Sequence, residues 1–261
     1  MSISLAIIGA GDLGLRVAQQ RIALGDEVWA MRRRALSIPD GVHRVVGDMF
    51  LAESLQLLPR NPEVLLFCPT PDERTESAYR HTYLHGIQRA LECLKPKRTL
   101  FVSSTAVYAQ NDGQCVNENS PAESQRFNGK VLLEAEHDVL QHPNNAVLRL
   151  SGITGPGRTM LINKALLGEG IANTWTNRIH IDDAASAIAY LMTLENLPTV
   201  INVSDDVPAL QVDVANWIRK QHQLPPIHLP STNLTGKKIS NRRLKDLGWQ
   251  AKYPSYKESY S

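Results

Sequence analysis

Met1-Ser-Ile-Ser-Leu-Ala-Ile-Ile-Gly9-Ala-Gly11-Asp12-Leu13-Gly14 is an apolar run delivered straight into three spaced glycines. Ile3 to Ile8 is rich in β-branched residues and has the length of a buried strand. From Leu13 to Leu24 apolar residues recur at helical spacing, until Gly25 stops them. Each glycine has a mechanical task in such a strand–turn–helix unit. Gly9 permits the tight turn, Gly11 lets backbone approach a diphosphate, and Gly14 lets the helix pack closely on the strand. The amides at the helix start, with Asp12 and Leu13 between the last two glycines, would then face the phosphates, helped by the helix dipole. Alone the triplet is a weak signal. Here a strand precedes it, a helix follows it, and a second strand (Glu27 to Met31) comes at the right distance, which is the context the motif requires.

Working outward, the second strand ends in Arg32-Arg33-Arg34. An NAD-preferring site places an Asp or Glu near this point to bond the ribose 2′-hydroxyl. No acid stands between Glu27 and Asp40, and Arg32 and Arg33 offer guanidinium forks to a 2′-phosphate instead. NADP is therefore the expected cofactor and NAD the alternative; a solvated basic loop is the plainer reading of the same run. Val42 to Val46 reads as a third strand, followed by Gly47-Asp48-Met49. Asp48 could accept a bond from an adenine amino group beside Met49, or cap the helix that begins near Leu51. Val64 to Cys68 is a fourth strand whose tip, Cys68-Pro69, should lie near the middle of a bound dinucleotide. A long helix is expected over Glu73 to Leu94, weakest at Gly86. Its His81 and His85 lack a carboxylate at zinc spacing and read as a partly exposed helix face. Thr99 to Val102 is the fifth strand. The hydroxyls of Ser103-Ser104-Thr105 at its carboxyl end point into the ligand crevice of a doubly wound sheet, or else satisfy loop backbone.

Bulk properties narrow the class. The 261 residues are 43% hydrophobic and 21% charged, so a packed core is expected. A formal net charge of +2 is too small to argue for nucleic acid or a membrane surface as partner. Three cysteines (Cys68, Cys93, Cys115), without a C-x-x-C, read as reduced thiols of a cytoplasmic protein with no metal site. The short opening run, without a basic leader, reads as a strand and not a signal peptide. No stretch approaches the ~18 apolar residues of a membrane span.

Val102-Ser-Ser-Thr-Ala-Val-Tyr108, Leu148-Arg-Leu-Ser-Gly-Ile-Thr-Gly-Pro-Gly157, Ile179-His-Ile-Asp-Asp183 and Val200-Ile-Asn-Val203, with the glycine triplet, resemble the extended short-chain dehydrogenase/reductase superfamily. More narrowly they resemble its NAD(P)-dependent epimerase/dehydratase branch, over most of the chain and in the expected order. The resemblance implies that Ser104 bonds the reacting oxygen, with Thr105 beside the substrate. It implies too that the turn after Leu150 borders the substrate pocket, with Arg158 as a candidate anion clamp or a plain surface arginine.

These enzymes pair a tyrosine with a lysine four residues later, so that the ammonium draws down the phenol's pKa for proton transfer. The candidate helix here is Ser124-Gln-Arg-Phe-Asn-Gly-Lys130 through Glu136. Lys130 fits the lysine position, but Arg126 stands where the tyrosine belongs, and a guanidinium cannot shuttle protons. Lys130 could still hold the nicotinamide ribose, or be a solvated lysine; Arg126 becomes a candidate substrate contact. Tyr253-Pro-Ser-Tyr-Lys257 matches the pattern literally but carries a proline where helix is needed. Tyr108 is the nearest phenol to Ser104, as a stand-in or as packing. His180 is expected to order the helix from Asp182 to Leu194, with Asp182 or Asp183 as its cap.

Late in the chain, Thr199 to Val203 is expected to return to the main sheet. Gln211 to Gln221 reads as an amphipathic helix, Leu229 to Gly236 as a polar connection, and Ile239 to Trp249 as a short helix stopped by Gly248. Tyr253 to Ser261 reads as a polar tail. The expected fold is a doubly wound parallel α/β Rossmann sheet with a small C-terminal substrate lobe. Residues 1–155 form the dinucleotide-binding domain, to which 184–206 return; 156–183 and 207–261 form the lobe. Two functions follow. One is an oxidoreductase or epimerase/dehydratase acting on a small carbonyl or hydroxyl metabolite or a sugar derivative. The other is a non-catalytic NADP(H)-binding sensor of the same fold. The expected partner is a small molecule, and a homo-oligomer stays open.

Overall fold

A computed structural model describes residues 2–34, 37–229 and 234–260. Strands β1 (Ser4–Ile8), β2 (Glu27–Arg32), β3 (His43–Val46), β4 (Val64–Phe67), β5 (Arg98–Ser104), β6 (Ala146–Leu150) and β7 (Val200–Val203) form one sheet, in the order β7-β6-β5-β4-β1-β2-β3. The pairs β1–β2, β1–β4, β2–β3 and β4–β5 are parallel. Strand order reverses at β1, whose neighbours are β2 and β4, and in such sheets that reversal is where a crevice opens at the carboxyl ends. β4 and β6 are buried throughout and β1 is buried from Leu5 to Ile8, which is why they read as continuous apolar runs. This is a Rossmann fold.

Helix α1 (Asp12–Ala23) follows the glycine turn. It is closed by Gly25 at φ +87°, whose N–H donates to the Ile22 carbonyl while that of Asp26 donates to Arg21. α2 (Ala52–Leu55) is a single turn. The long helix expected after β4 runs as α3 (Glu76–Arg80), a π turn (His81–His85) and α4 (Gly86–Leu94). The weak point thus lies just ahead of Gly86. A Cβ there would stand 3.0 Å from the Met49 methyl and 3.3 Å from the Phe67 ring, so glycine lets the helix settle on the sheet. α5 spans Phe127–Leu140, and α6 (Met160–Leu167), α7 (Ile181–Leu191), α8 (Gln211–Gln221), α9 (Arg242–Asp246) and α10 (Tyr256–Ser259) follow.

The chain divides into two compact units. The first comprises Met1–Val107, Ala122–Arg149 and Ala185–Ile201; the second comprises Tyr108–Pro121, Leu150–Ala184 and Asn202–Ser261. Relative to the boundaries expected from sequence, residues 108–121, 150–155, 184 and 202–206 fall in the second unit. The reason for the first of these is a short strand, Cys115–Val116, that pairs with Lys238–Ile239. The second unit has its own core of Ala165, Ala209, Val214, Ala215 and Ile218, where α6 meets α8.

Two expectations are corrected. α5 begins at Phe127 and not near Ser124, because Ser124 is buried in extended chain against the helix: a Cβ on Gly129 would lie 2.2 Å from its Oγ. Nor is the C-terminus a polar tail. Ser255 and Glu258 form a capping box that starts α10, and Tyr253 stacks on His180 with ring centroids 3.8 Å apart. Of the polar connection, residues 230–233 lie outside the described residues, as does Ser261.

Candidate functional site

The three glycines do separate work. Gly9 has φ +88°, and a Cβ there would stand 2.3 Å from the backbone nitrogen of Pro69, so the turn after β1 abuts the tip of β4. A Cβ on Gly14 would meet Ile7 Cγ2 at 3.1 Å and Cys68 Sγ at 3.3 Å, which is the close helix–strand approach its position requires. On Gly11 it would meet nothing nearer than the Gly9 carbonyl at 3.9 Å; this glycine faces open space. The amides of Gly9 and Ala10 donate to the Met31 carbonyl and that of Gly11 to Gly9, while Leu15 makes the first bond of the helix, to the Gly11 carbonyl. The amides of Asp12, Leu13 and Gly14 therefore precede the helix ladder, at the positive end of its dipole. The Asp12 side chain turns to Arg16, 2.8 Å away.

Cys68 supports this turn from below. Its thiol donates to the Gly9 carbonyl at 3.4 Å, and burial pushes its pKa up to about 12. It is therefore a structural thiol and not a nucleophile.

Just past β2, an arginine of the basic run pairs with an acid from a distant loop. Arg33 donates both guanidinium nitrogens to the carboxylate of Asp72, three residues past Pro69; the Nη1–Oδ2 distance is 2.6 Å. Each partner shifts the other: the bond with Asp72 raises the Arg33 pKa, and Arg33 lowers that of Asp72. Both side chains are over half exposed. Arg32 ends β2 with its carbonyl accepting from Gly47. The Asp48 carboxylate accepts the Phe50 amide at 3.0 Å, a turn ahead of α2, while Met49 packs against Gly86. The Asp48 bond closes a local turn and does not cap α2, which is preceded by Leu51 and has no side-chain cap bond.

Ser104 ends β5 half-buried, its oxygen accepting the Ala106 amide at 3.2 Å. Among the described residues nothing accepts its hydrogen. Thr105 begins the short turn that follows. The first turn of α5 abuts the same place, since Gly129 leaves room for the Ala106 carbonyl, and it carries Lys130 exposed. Arg126 is the residue before the helix, exposed, with ψ 143°. It does not share a helical face with Lys130 as the i, i+4 spacing predicts. Tyr108 is 2% exposed and its hydroxyl donates to Asn202 at 2.9 Å, so this phenol is committed to packing in the second unit. The ring of Tyr79 lies edge-on to that of Phe127, the residue after Arg126, with centroids 5.4 Å apart.

In the second unit, the guanidinium of Arg158 donates to the Pro156 carbonyl at 3.1 Å, folding over its own turn. His180 is packed against Gly155, where a Cβ would stand 2.9 Å from its Nε2, and its Nδ1 accepts the Asp182 amide. Asp183 does not cap α7; its carboxylate accepts the amides of Lys252 and Tyr253.

Sequence reasoning missed three arrangements. Asp72 pairs with Arg33 from 39 residues away; its place just past the fourth strand was the available signal. Glu136, buried on α5, accepts from Ser103 at 2.5 Å and from Arg149 at 2.6 Å. In the second unit, buried Arg178 and Asp205 face each other at 3.9 Å. Among the described residues no group of three or more His, Cys, Asp or Glu side chains could hold a metal ion. None of their helices is long and apolar enough to cross a membrane.

No protein-family profile matches the chain. The Escherichia coli K12 protein YeeZ is 27% identical over 96% of each chain. The structure of Bordetella bronchiseptica WbmG in complex with NAD superposes with TM-score 0.78 at 17% identity, covering 100% of this chain and 93% of that one, a likeness of fold. A solved Methylobacillus flagellatus protein, assigned as an NAD-dependent epimerase/dehydratase, is 33% identical with TM-score 0.87, covering 100% of this chain and 97% of its own. With that identity carried over the full length and the glycine turn seated at the switch point of the sheet, the chain belongs to the NAD-dependent epimerase/dehydratase family of short-chain dehydrogenase/reductase-like proteins.

Proposed function

We propose that the protein binds a nicotinamide dinucleotide, preferring NADP(H), and uses it on a carbonyl or hydroxyl carbon of a compact metabolite or sugar derivative. The observation that carries this reading is the turn at Gly9 to Gly14. Gly11 opens onto space that a Cβ would fill, beside the amides that lead α1. A diphosphate fits there by charge and by donor supply. Arg32 and Arg33 at the end of β2 would meet a 2′-phosphate, and Asp48 and Met49 the adenine side.

The dinucleotide would supply or take up hydride. The chain's own part is to orient the substrate oxygen. Ser104, whose oxygen is already fixed by the Ala106 amide, has its hydrogen left to donate to that oxygen. Lys130, exposed beside it on the first turn of α5, would hold the ribose hydroxyls. Arg126 cannot move the proton and Tyr108 is committed elsewhere, so solvent water at Ser104 would deliver it. The same lack of a phenol favours a second reading, an NADP(H)-binding sensor without turnover.

The test is to mix the protein with NADPH and a panel of aldehydes, ketones and nucleotide sugars and to follow absorbance. Turnover that falls by about 10² or more in Ser104→Ala supports the enzyme. Tight binding with no turnover supports the sensor. NADPH affinity unchanged in Arg32→Ala/Arg33→Ala, or NADH bound as tightly as NADPH, overturns the NADP preference.

A further inference from the structure

We propose that Asp72 is a specificity-determining residue of the dinucleotide site, holding Arg33 in competition with the cofactor's 2′-phosphate and so restraining the preference for NADP(H). The inference rests on the dinucleotide reading above.

The topology carries it. Arg33 lies one residue past β2 and Asp72 lies past the tip of β4, and those strands flank β1 on opposite sides. The pair therefore joins the two loops that border the carboxyl end of β1, where the glycine turn sits. A dinucleotide whose phosphates rest on that turn, and whose adenosine ribose lies at the end of β2, must meet it. The guanidinium fork is not idle: both of its outer nitrogens are on the carboxylate. Further charges surround the pair, with Asp48 acting on Arg33 and Arg34 on Asp72.

The two cofactors meet this arrangement differently. A ribose 2′-hydroxyl is neutral and leaves the pair intact. A 2′-phosphate carries nearly two negative charges and needs the same fork. To take it, the phosphate must displace the carboxylate and then sit beside it. An exposed pair such as this is worth little by itself, so displacement is feasible. The residual repulsion between carboxylate and phosphate is what blunts selection.

Asp72→Asn keeps the size and removes the charge at an exposed position, so folding should be unaffected. Binding of NADPH and NADH to the full chain is followed by nucleotide fluorescence at low salt. The ratio of the NADH Kd to the NADPH Kd should rise about tenfold in the variant, almost wholly through tighter NADPH. Added salt should narrow the difference. In an Arg33→Ala background the Asp72→Asn change should leave the ratio where it is, because the two residues act as a pair. A ratio that stays put or falls in Asp72→Asn, with both nucleotides still bound, overturns this inference and leaves the dinucleotide site standing. If the unaltered protein binds neither nucleotide, the dinucleotide reading itself fails, and this inference with it.

Discussion

Gly9 and Gly14 belong to one motif, yet they should respond differently to the same substitution. At Gly9 the backbone is left-handed, and the group a Cβ would strike, 2.3 Å away, is the Pro69 main chain, which cannot swing aside. Gly9→Ala should therefore cost roughly 3 kcal/mol or more, from strain and overpacking together. At Gly14 the neighbours are the Ile7 methyl and the Cys68 thiol at 3.1 and 3.3 Å, with the Gly9 carbonyl at a similar distance. Alanine there gains up to about 1 kcal/mol of helix propensity against an overpacking cost of about 1–3 kcal/mol. A net loss of about 1 kcal/mol is expected. Urea unfolding of the two variants checks the order, and a Gly14→Ala protein less stable than Gly9→Ala would overturn it. The fingerprint was legible in the sequence because its meaning is local: each glycine answers to chain within a few residues or to the strand beside it. Asp72 was harder to read: its place past β4 puts it at the right end of the sheet, but its partner Arg33 is 39 residues away and no local pattern names it.

Among the elements, β5, α5 and β6 are tied through one buried carboxylate. Glu136 on α5 receives Ser103 from β5 and the guanidinium of Arg149 from β6, and all three are 6% exposed or less. A well-bonded buried pair need not add net stability, but breaking it strands a charge. Glu136→Gln should cost about 3–5 kcal/mol, whereas a double replacement of Glu136 and Arg149 by leucine and methionine should cost much less. Thermal unfolding of the two proteins tests this, and equal losses would show that packing and not charge governs the site. Strands such as β6 were readable from sequence because a parallel strand buried on both faces is a continuous apolar run, Arg149 being a single exception. α8 was readable from its periodicity. The start of α5 was not, since it depends on Ser124 filling the space over Gly129. α10 was hidden as well: its four residues are too few for a period, and only the Ser255–Glu258 capping box marks it.

Across the whole chain, the two compact units settle buried charge differently, and this sets a pH dependence. The Glu136–Arg149 pair of the first unit has close hydrogen bonds. In the second, Arg178 and Asp205 are 3% and 1% exposed and stand 3.9 Å apart, and among the described residues Arg178 Nη1 has no hydrogen-bond partner. Burial pushes Asp205 up to about 8 from 3.8, with Arg178 opposing. The native state then keeps a proton that the unfolded state has released throughout that window. Stability must fall as pH rises from about 4 to 8 and level off above, by at most a few kcal/mol. Asp183, also raised by burial, tilts the curve the same way, so the contribution of Asp205 is read as a difference between proteins. Asp205→Asn imitates the neutral carboxyl: it should match the unaltered protein below about pH 4 and exceed its Tm by several degrees near pH 9. Parallel curves for the two proteins would mean that Arg178 holds the carboxylate ionised across the range. The gap between the pairs would then be a matter of distance, without consequence for the proton.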